Sequence, residues 1–137
     1  MGEETSLQLD DRLARDSHLV SRLDLCELRL AKDSRWPWLI LVPMIADAVE
    51  IHDLSEENQL TLARETAKVA CLLKQITGCT KINSGALGNV VRQLHVHVVA
   101  RNEGDAAWPG PIWGHGEAEP YDEAIRQKLI GAIREGL

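Results

Sequence analysis

Gln93, His95 and His97 alternate with Leu94, Val96 and Val98, and period-two alternation is the pattern of a strand with one polar and one apolar face. On an extended chain the two imidazoles stand about 7 Å apart at their Cα atoms and project to the same side. Imidazole is nucleophilic when neutral, titrates near neutrality and is a workable leaving group from phosphorus. Such a pair suits covalent transfer of a phosphorus-centred group, provided that an acceptor holds one ring nitrogen and so aims the other. Buried against a core, the Gln93, His95 and His97 row would need partners for all its donors and acceptors, so it is expected to face a ligand. His-x-His is also half of a zinc or iron site, with His52, His115 or a carboxylate as the third ligand, but no spacing nominates one. His18 and His52 have no partner in the sequence and are read as boundary residues.

The elements that must position this row can be read on either side of it. Leu9 and Leu13 suggest a short amphipathic helix within 7–16, and the broken leucine alternation from His18 to Ala31 suggests one or two strands. Trp38 to Val42 is an unbroken apolar run between Pro37 and Pro43, the signature of a central strand closed by residues that cannot extend a ladder. Ser55 followed by Glu56 and Glu57 reads as a helix start, and Gly78 as its stop. Leu62, Val69, Leu73 and Ile76 form the apolar face between them. Thr80 to Asn83 is expected as a strand, Gly85 to Gly88 as a loop, and Val90 to Ala100 as the strand bearing the histidines. A Gly- and Pro-rich loop from Asn102 to Pro120 precedes a last helix with Tyr121, Ile125, Leu129 and Ile133 on one face.

Composition narrows the function classes. The 137 residues suit one domain. A net charge of −6, with acidic residues spread from Glu3 to Glu135, argues against a nucleic-acid-backbone binder. Cys26, Cys71 and Cys79 are odd in number and lack Cys-x-x-Cys spacing, and no signal peptide opens the chain, so a cytoplasmic protein with reduced thiols is expected. The longest apolar run contains two prolines and is too short to span a bilayer, so no membrane partner is expected.

Gln93-Leu94-His95-Val96-His97-Val98-Val99 resembles the histidine triad (HIT) signature, in which three histidines alternate with apolar residues. Asn83, the Gly88-Asn89 loop, Arg101 after the histidines, and the Leu39 to Pro43 strand before a Leu54-Ser55-Glu56-Glu57 helix start follow in the family's order. The resemblance covers roughly residues 17 to 115. It implies an α+β fold with an antiparallel sheet of about five strands and a long helix packed on it, and pairing into a homodimer. The whole chain, 1–137, is then one HIT-like unit with a core of about 17–115 and a C-terminal helix of about 120–136. The resemblance implies a nucleotide hydrolase or nucleotidyl transferase in which His95 attacks the α-phosphate and His97 contacts phosphate or leaving group. Gln93 stands where the first histidine belongs; it keeps hydrogen-bonding capacity and loses the ability to carry charge. Val90 stands where many relatives have a hydroxyl. For the nucleotide, the resemblance suggests Asp33 for the ribose, Asn83 as a nucleotide-binding residue, Asn89 as a phosphate-side donor, Trp38 (or Trp36) stacked on the base, and Trp108 reaching toward a partner subunit. No cofactor is implied. The alternatives are a nucleotide-binding regulator with negligible turnover and, below it, a metal-binding protein using His95 and His97.

Overall fold

The computed structural model describes residues 7–137. In chain order it contains α1 (Asp11–Arg15), β1 (Ser17–Arg22), β2 (Cys26–Ala31), β3 (Trp38–Pro43), a 3-10 turn (Ile51–Asp53), α2 (Glu56–Thr77), β4 (Lys81–Gly85), β5 (Val96–Arg101) and α3 (Glu123–Gly136). The strands form one antiparallel sheet in the order β1-β2-β3-β5-β4. The proline-bounded apolar run is thus the middle strand, as its lack of a polar face required.

Strand register sorts the side chains into two faces. Leu28 pairs with Leu41, Leu39 with Val98 and Leu41 with Val96, and these residues pack with Leu62, Val69 and Leu73 of α2 and Ile130 and Ile133 of α3 in the main core. Helix α2 starts where Ser55 Oγ accepts the Asn58 N–H at 3.1 Å and ends at Gly78, whose φ of 65° is a left-handed cap. One residue of its buried face is unexpected. Glu65 accepts the backbone N–H groups of Leu25 and Cys26, both at 2.9 Å, and so ties the helix to the β1–β2 turn. Burial, with Glu65 beside it, pushes the Cys26 thiol far above its ordinary range.

The opposite face carries Arg29, Ile40 and His97 in one cross-strand row. It is covered by α1 over Leu13, Ala31, Ile40 and Val42 and by the C-terminal loop over Trp36, Val99 and Ile112. Fully buried Arg101 anchors that loop: it binds Asp105 through two nitrogens at 2.9 Å and donates to the Gly110 carbonyl and to Asn83 Oδ1, also at 2.9 Å.

Two expectations need correction. The strand expected from Val90 begins only at Val96, because the backbone before it bonds elsewhere: the Leu94 N–H donates to Ala48 O at 2.9 Å and the Val90 carbonyl accepts from Arg12 at 3.1 Å. Strict alternation began only in the second half of that segment, and the ladder follows it. In α3 the inward face passes through Ile130, Ile133 and Leu137, with Arg126 beside His18 and Arg134 donating to Val20 O. Ile125 is therefore 61 % exposed, and Tyr121 packs on the core from before the helix begins.

Candidate active site

His95 stands at the entry to β5 and His97 within it, and their ring centroids are 4.9 Å apart. Each residue is only 6 % exposed, so the row expected to lie open is largely enclosed, and the demand for partners is met by fixed ones. His95 Nδ1 lies 2.6 Å from the carbonyl oxygen of Gln93. A carbonyl can only accept, so Nδ1 carries the hydrogen and Nε2 keeps its lone pair. His97 Nδ1 lies 2.9 Å from Trp38 Nε1. An indole N–H can only donate, so Nδ1 is the bare nitrogen of His97 and Nε2 bears its hydrogen. The two rings hold opposite tautomers: one presents a nucleophilic nitrogen, the other a donor. Burial, and secondarily the neighbouring His95, lowers the pKa of His97 from 6.5 to about 4, which leaves it neutral near pH 7.

The pair borders two cavities. One, of about 420 Å³, is lined by His97, Trp38, Trp113, Ile40, Asp33 and Arg35, among others. The other, of about 230 Å³, has His95, Gln93, Arg92, Val49, Ile51 and Leu87 on its walls. The larger combines indole surface with a few charged groups, the make-up of a site for a flat, partly polar ligand. At its rim Asp33 is paired with Arg35, Oδ2 to Nη2 at 2.8 Å. Burial pushes the Asp33 carboxyl up, but donors from Arg35 and the Glu119 N–H outweigh it and hold the pKa below the usual carboxylate value. Arg35 also stacks over Trp36 at 4.4 Å and donates to the His115 carbonyl.

The other residues singled out in the sequence fall in different places. Trp38 lines the larger cavity, but its ring nitrogen is committed to His97. Gln93 sits at a bend, and its side chain turns to the N-terminal segment: Oε1 accepts the Asp10 N–H at 2.7 Å and Nε2 donates to Gln8 O at 3.3 Å. Asn83 supports Arg101 and lines neither cavity. Exposed Asn89 borders a shallow depression with Gly88, Glu50 and Arg92. Trp108 lies under the Arg101 guanidinium at 5.5 Å, away from both cavities. Of the two tryptophans in that loop, the one that reaches the histidines is Trp113, 5.4 Å from the His97 ring. Its loop was flagged in the sequence, but Trp113 was not singled out for the site, because only its contact with His97 of β5 marks it. Among the described residues no three His, Cys, Asp or Glu side chains converge to hold a metal ion. No helix described is long and apolar enough to cross a membrane.

The architecture has close counterparts. A histidine triad protein from Sinorhizobium meliloti is 53% identical and superposes with a TM-score of 0.95, over 98% of this chain and 99% of that one. A histidine triad protein from Bradyrhizobium japonicum is 46% identical with a TM-score of 0.93, over 94% and 96% of the two chains. One from Marinobacter aquaeolei is 39% identical with a TM-score of 0.92, over 95% of each. No curated protein matches the chain. The HIT domain profile matches residues 12–104, which hold all of α1 but its first residue, the whole sheet, α2 and both histidines, and the chain belongs to the HIT domain family.

Proposed function

We propose that the protein is a nucleotide hydrolase or nucleotidyl transferase that works through a nucleotidyl-histidine intermediate on His95. The observation that carries this reading is the contact of His95 Nδ1 with the Gln93 carbonyl at 2.6 Å, which leaves Nε2 with a lone pair and a fixed direction. That nitrogen bonds to the α-phosphorus as the bond to the leaving group breaks and its electron pair departs with the leaving group. Water then adds its oxygen to phosphorus and loses a proton to solvent, the P–N bond breaks, and His95 regains its lone pair as the nucleoside monophosphate leaves. His97 assists with its Nε2 hydrogen, donated to a phosphate oxygen. In this reading Gln93 replaces the first triad histidine and acts through its backbone carbonyl.

The nucleoside lies in the 420 Å³ cavity, its base against Trp38 and Trp113 and its ribose toward Asp33. Asn89, on the loop beside the His95 cleft, serves the phosphate side; Asn83 and Trp108 act indirectly by holding Arg101 and the loop. A homodimer belongs to the same reading, with the free edge of β4 as the surface that a second copy would meet. The test is a screen of adenosine and guanosine phosphoramidates and dinucleoside polyphosphates with wild type and His95→Ala. Turnover in wild type alone is expected. Tight nucleotide binding with no turnover of any substrate would favour a binding protein, a reading supported by the engagement of the Gln93 amide with residues 8 and 10.

A further inference from the structure

A second cleft opens between edge strand β1 and helix α3, separated from the histidine strand β5 by β2 and β3. Its volume is about 510 Å³, and its polar lining is His18, Arg126, Gln127 and Arg134, with no acidic residue. In a chain with 21 acidic residues against 15 basic ones, a cleft walled by two guanidinium groups and no carboxylate concentrates positive potential. Both guanidinium groups are held on β1. Arg126 Nη1 donates toward His18 Nε2 at 3.4 Å, and Arg134 Nε donates to the Val20 carbonyl at 2.7 Å. Their charges are poorly neutralised. Arg126 meets Glu123 at 3.7 Å, with that carboxylate 76 % exposed, and among the described residues no carboxylate pairs with Arg134 or His18. Burial first, and then Arg126, Lys32 and Arg29, lower the His18 pKa, which marks the same surplus of positive charge.

Gly131 is an independent sign of a ligand. It sits inside α3, where glycine is the least favourable residue after proline, and a Cβ there would meet nothing within 4 Å. Neither a close approach of another element nor a left-handed backbone requires it. The residue therefore weakens the helix while keeping clear a wall that it shares with Leu19 and Ile130. We infer that this cleft is a second binding site, in which Arg126 and Arg134 clamp the phosphoryl group of a small phosphate monoester whose organic part lies over Gly131 against Leu19 and Ile130. Guanidinium forks match phosphate oxygens in pairs. Their anchors, residues 18 and 20, stand about 7 Å apart along an extended strand, a span that one tetrahedral anion between two guanidinium groups can fill. A carboxylate offers two oxygens to these donors and a phosphoryl group three, so the phosphoryl group serves both forks. No bond is made or broken there.

The test is titration of the full-length protein with glycerol 2-phosphate, a phosphate monoester without a base, followed by proton–nitrogen-15 correlation NMR. Inorganic phosphate, succinate and sodium chloride are the parallel probes. Saturable shifts of the Gly131 amide, the His18 ring and the Nε–H groups of Arg126 and Arg134 are expected with the monoester and, at higher concentration, with inorganic phosphate. Arg126→Gln should weaken binding roughly tenfold or more. Gly131→Leu should abolish it while raising the melting temperature by roughly 3 °C, because leucine is the better helix former. Succinate bound as tightly as the monoester would overturn the phosphoryl assignment, and shifts that chloride reproduces at equal ionic strength would overturn the site. Saturable shifts confined to His95, His97 and their cavities would overturn it too, since they report the site on β5. A Gly131→Leu protein that binds as wild type does, or melts lower, would refute the role of the glycine. Should Arg126→Gln fail to fold, Arg126→Lys keeps the charge and loses the fork, and unchanged affinity in that variant would refute the clamp.

Discussion

Lowering the pH should destabilise this protein through His97, starting above the range in which carboxylates titrate. Its folded pKa is about 4, against 6.5 in a solvated chain. Between those values the unfolded chain binds the proton and the folded chain does not, so the stabilisation is complete above about pH 6.5 and is lost as pH falls toward 4. At about 1.4 kcal/mol per pH unit the full difference is about 3 kcal/mol, of which about 2 kcal/mol is lost between pH 7 and pH 4.5. With His97 only 6 % exposed, solvent screening removes little of this. The perturbation is His97→Gln, whose amide oxygen can still accept from Trp38 but does not titrate. Urea denaturation at the two pH values gives the assay. The wild type should lose about 2 kcal/mol more than the variant on acidification. His18, whose pKa burial also lowers, is controlled by His18→Gln. Equal losses in wild type and His97→Gln would refute the reasoning, because a buried, indole-bonded imidazole cannot be pH-neutral to folding.

Other perturbations follow from the same contacts. Arg101→Met strands the Asp105 carboxylate and the Gly110 carbonyl and should cost about 3–5 kcal/mol in urea, with the C-terminal loop exposed to protease. Gln93→Leu removes the partner of the Asp10 N–H and should cost about 1–3 kcal/mol of stability while leaving the His95–carbonyl contact intact, so nucleotide turnover should fall far less than in His95→Ala. Trp113→Phe deletes a buried indole N–H that has no hydrogen-bond partner among the described residues. It should be neutral or stabilising in thermal melts, since an unpaired donor is a cost.

Much of this was legible in the chain. The proline-bounded strand, the Ser55 and Gly78 caps and the alternation around His97 are local codes that packing confirmed, and they located the sheet order's centre and the long helix. What was not legible lies where a residue's partner is distant in sequence. Gln93 looked like a third member of the polar row, but a bend turns its side chain to the backbone near residues 8–10, a contact across more than eighty residues. Trp38 read as a base stacker; that its nitrogen serves His97 depends on the β3–β5 register. The contacts of Asn83 and Trp108 with Arg101 were not legible either, because a wholly buried guanidinium needs a full set of partners that no local pattern announces.

The claim that His95 is the nucleophile is tested most directly by trapping. The protein would be mixed with an adenosine or guanosine 5′-phosphorimidazolide, quenched within the first turnover, and read by mass spectrometry after proteolysis under conditions that preserve P–N bonds. The account predicts one nucleotidyl adduct, on His95, absent from His95→Ala and formed by Gln93→Leu. Turnover with no adduct, or an adduct on His97 with His95 unmodified, would contradict it.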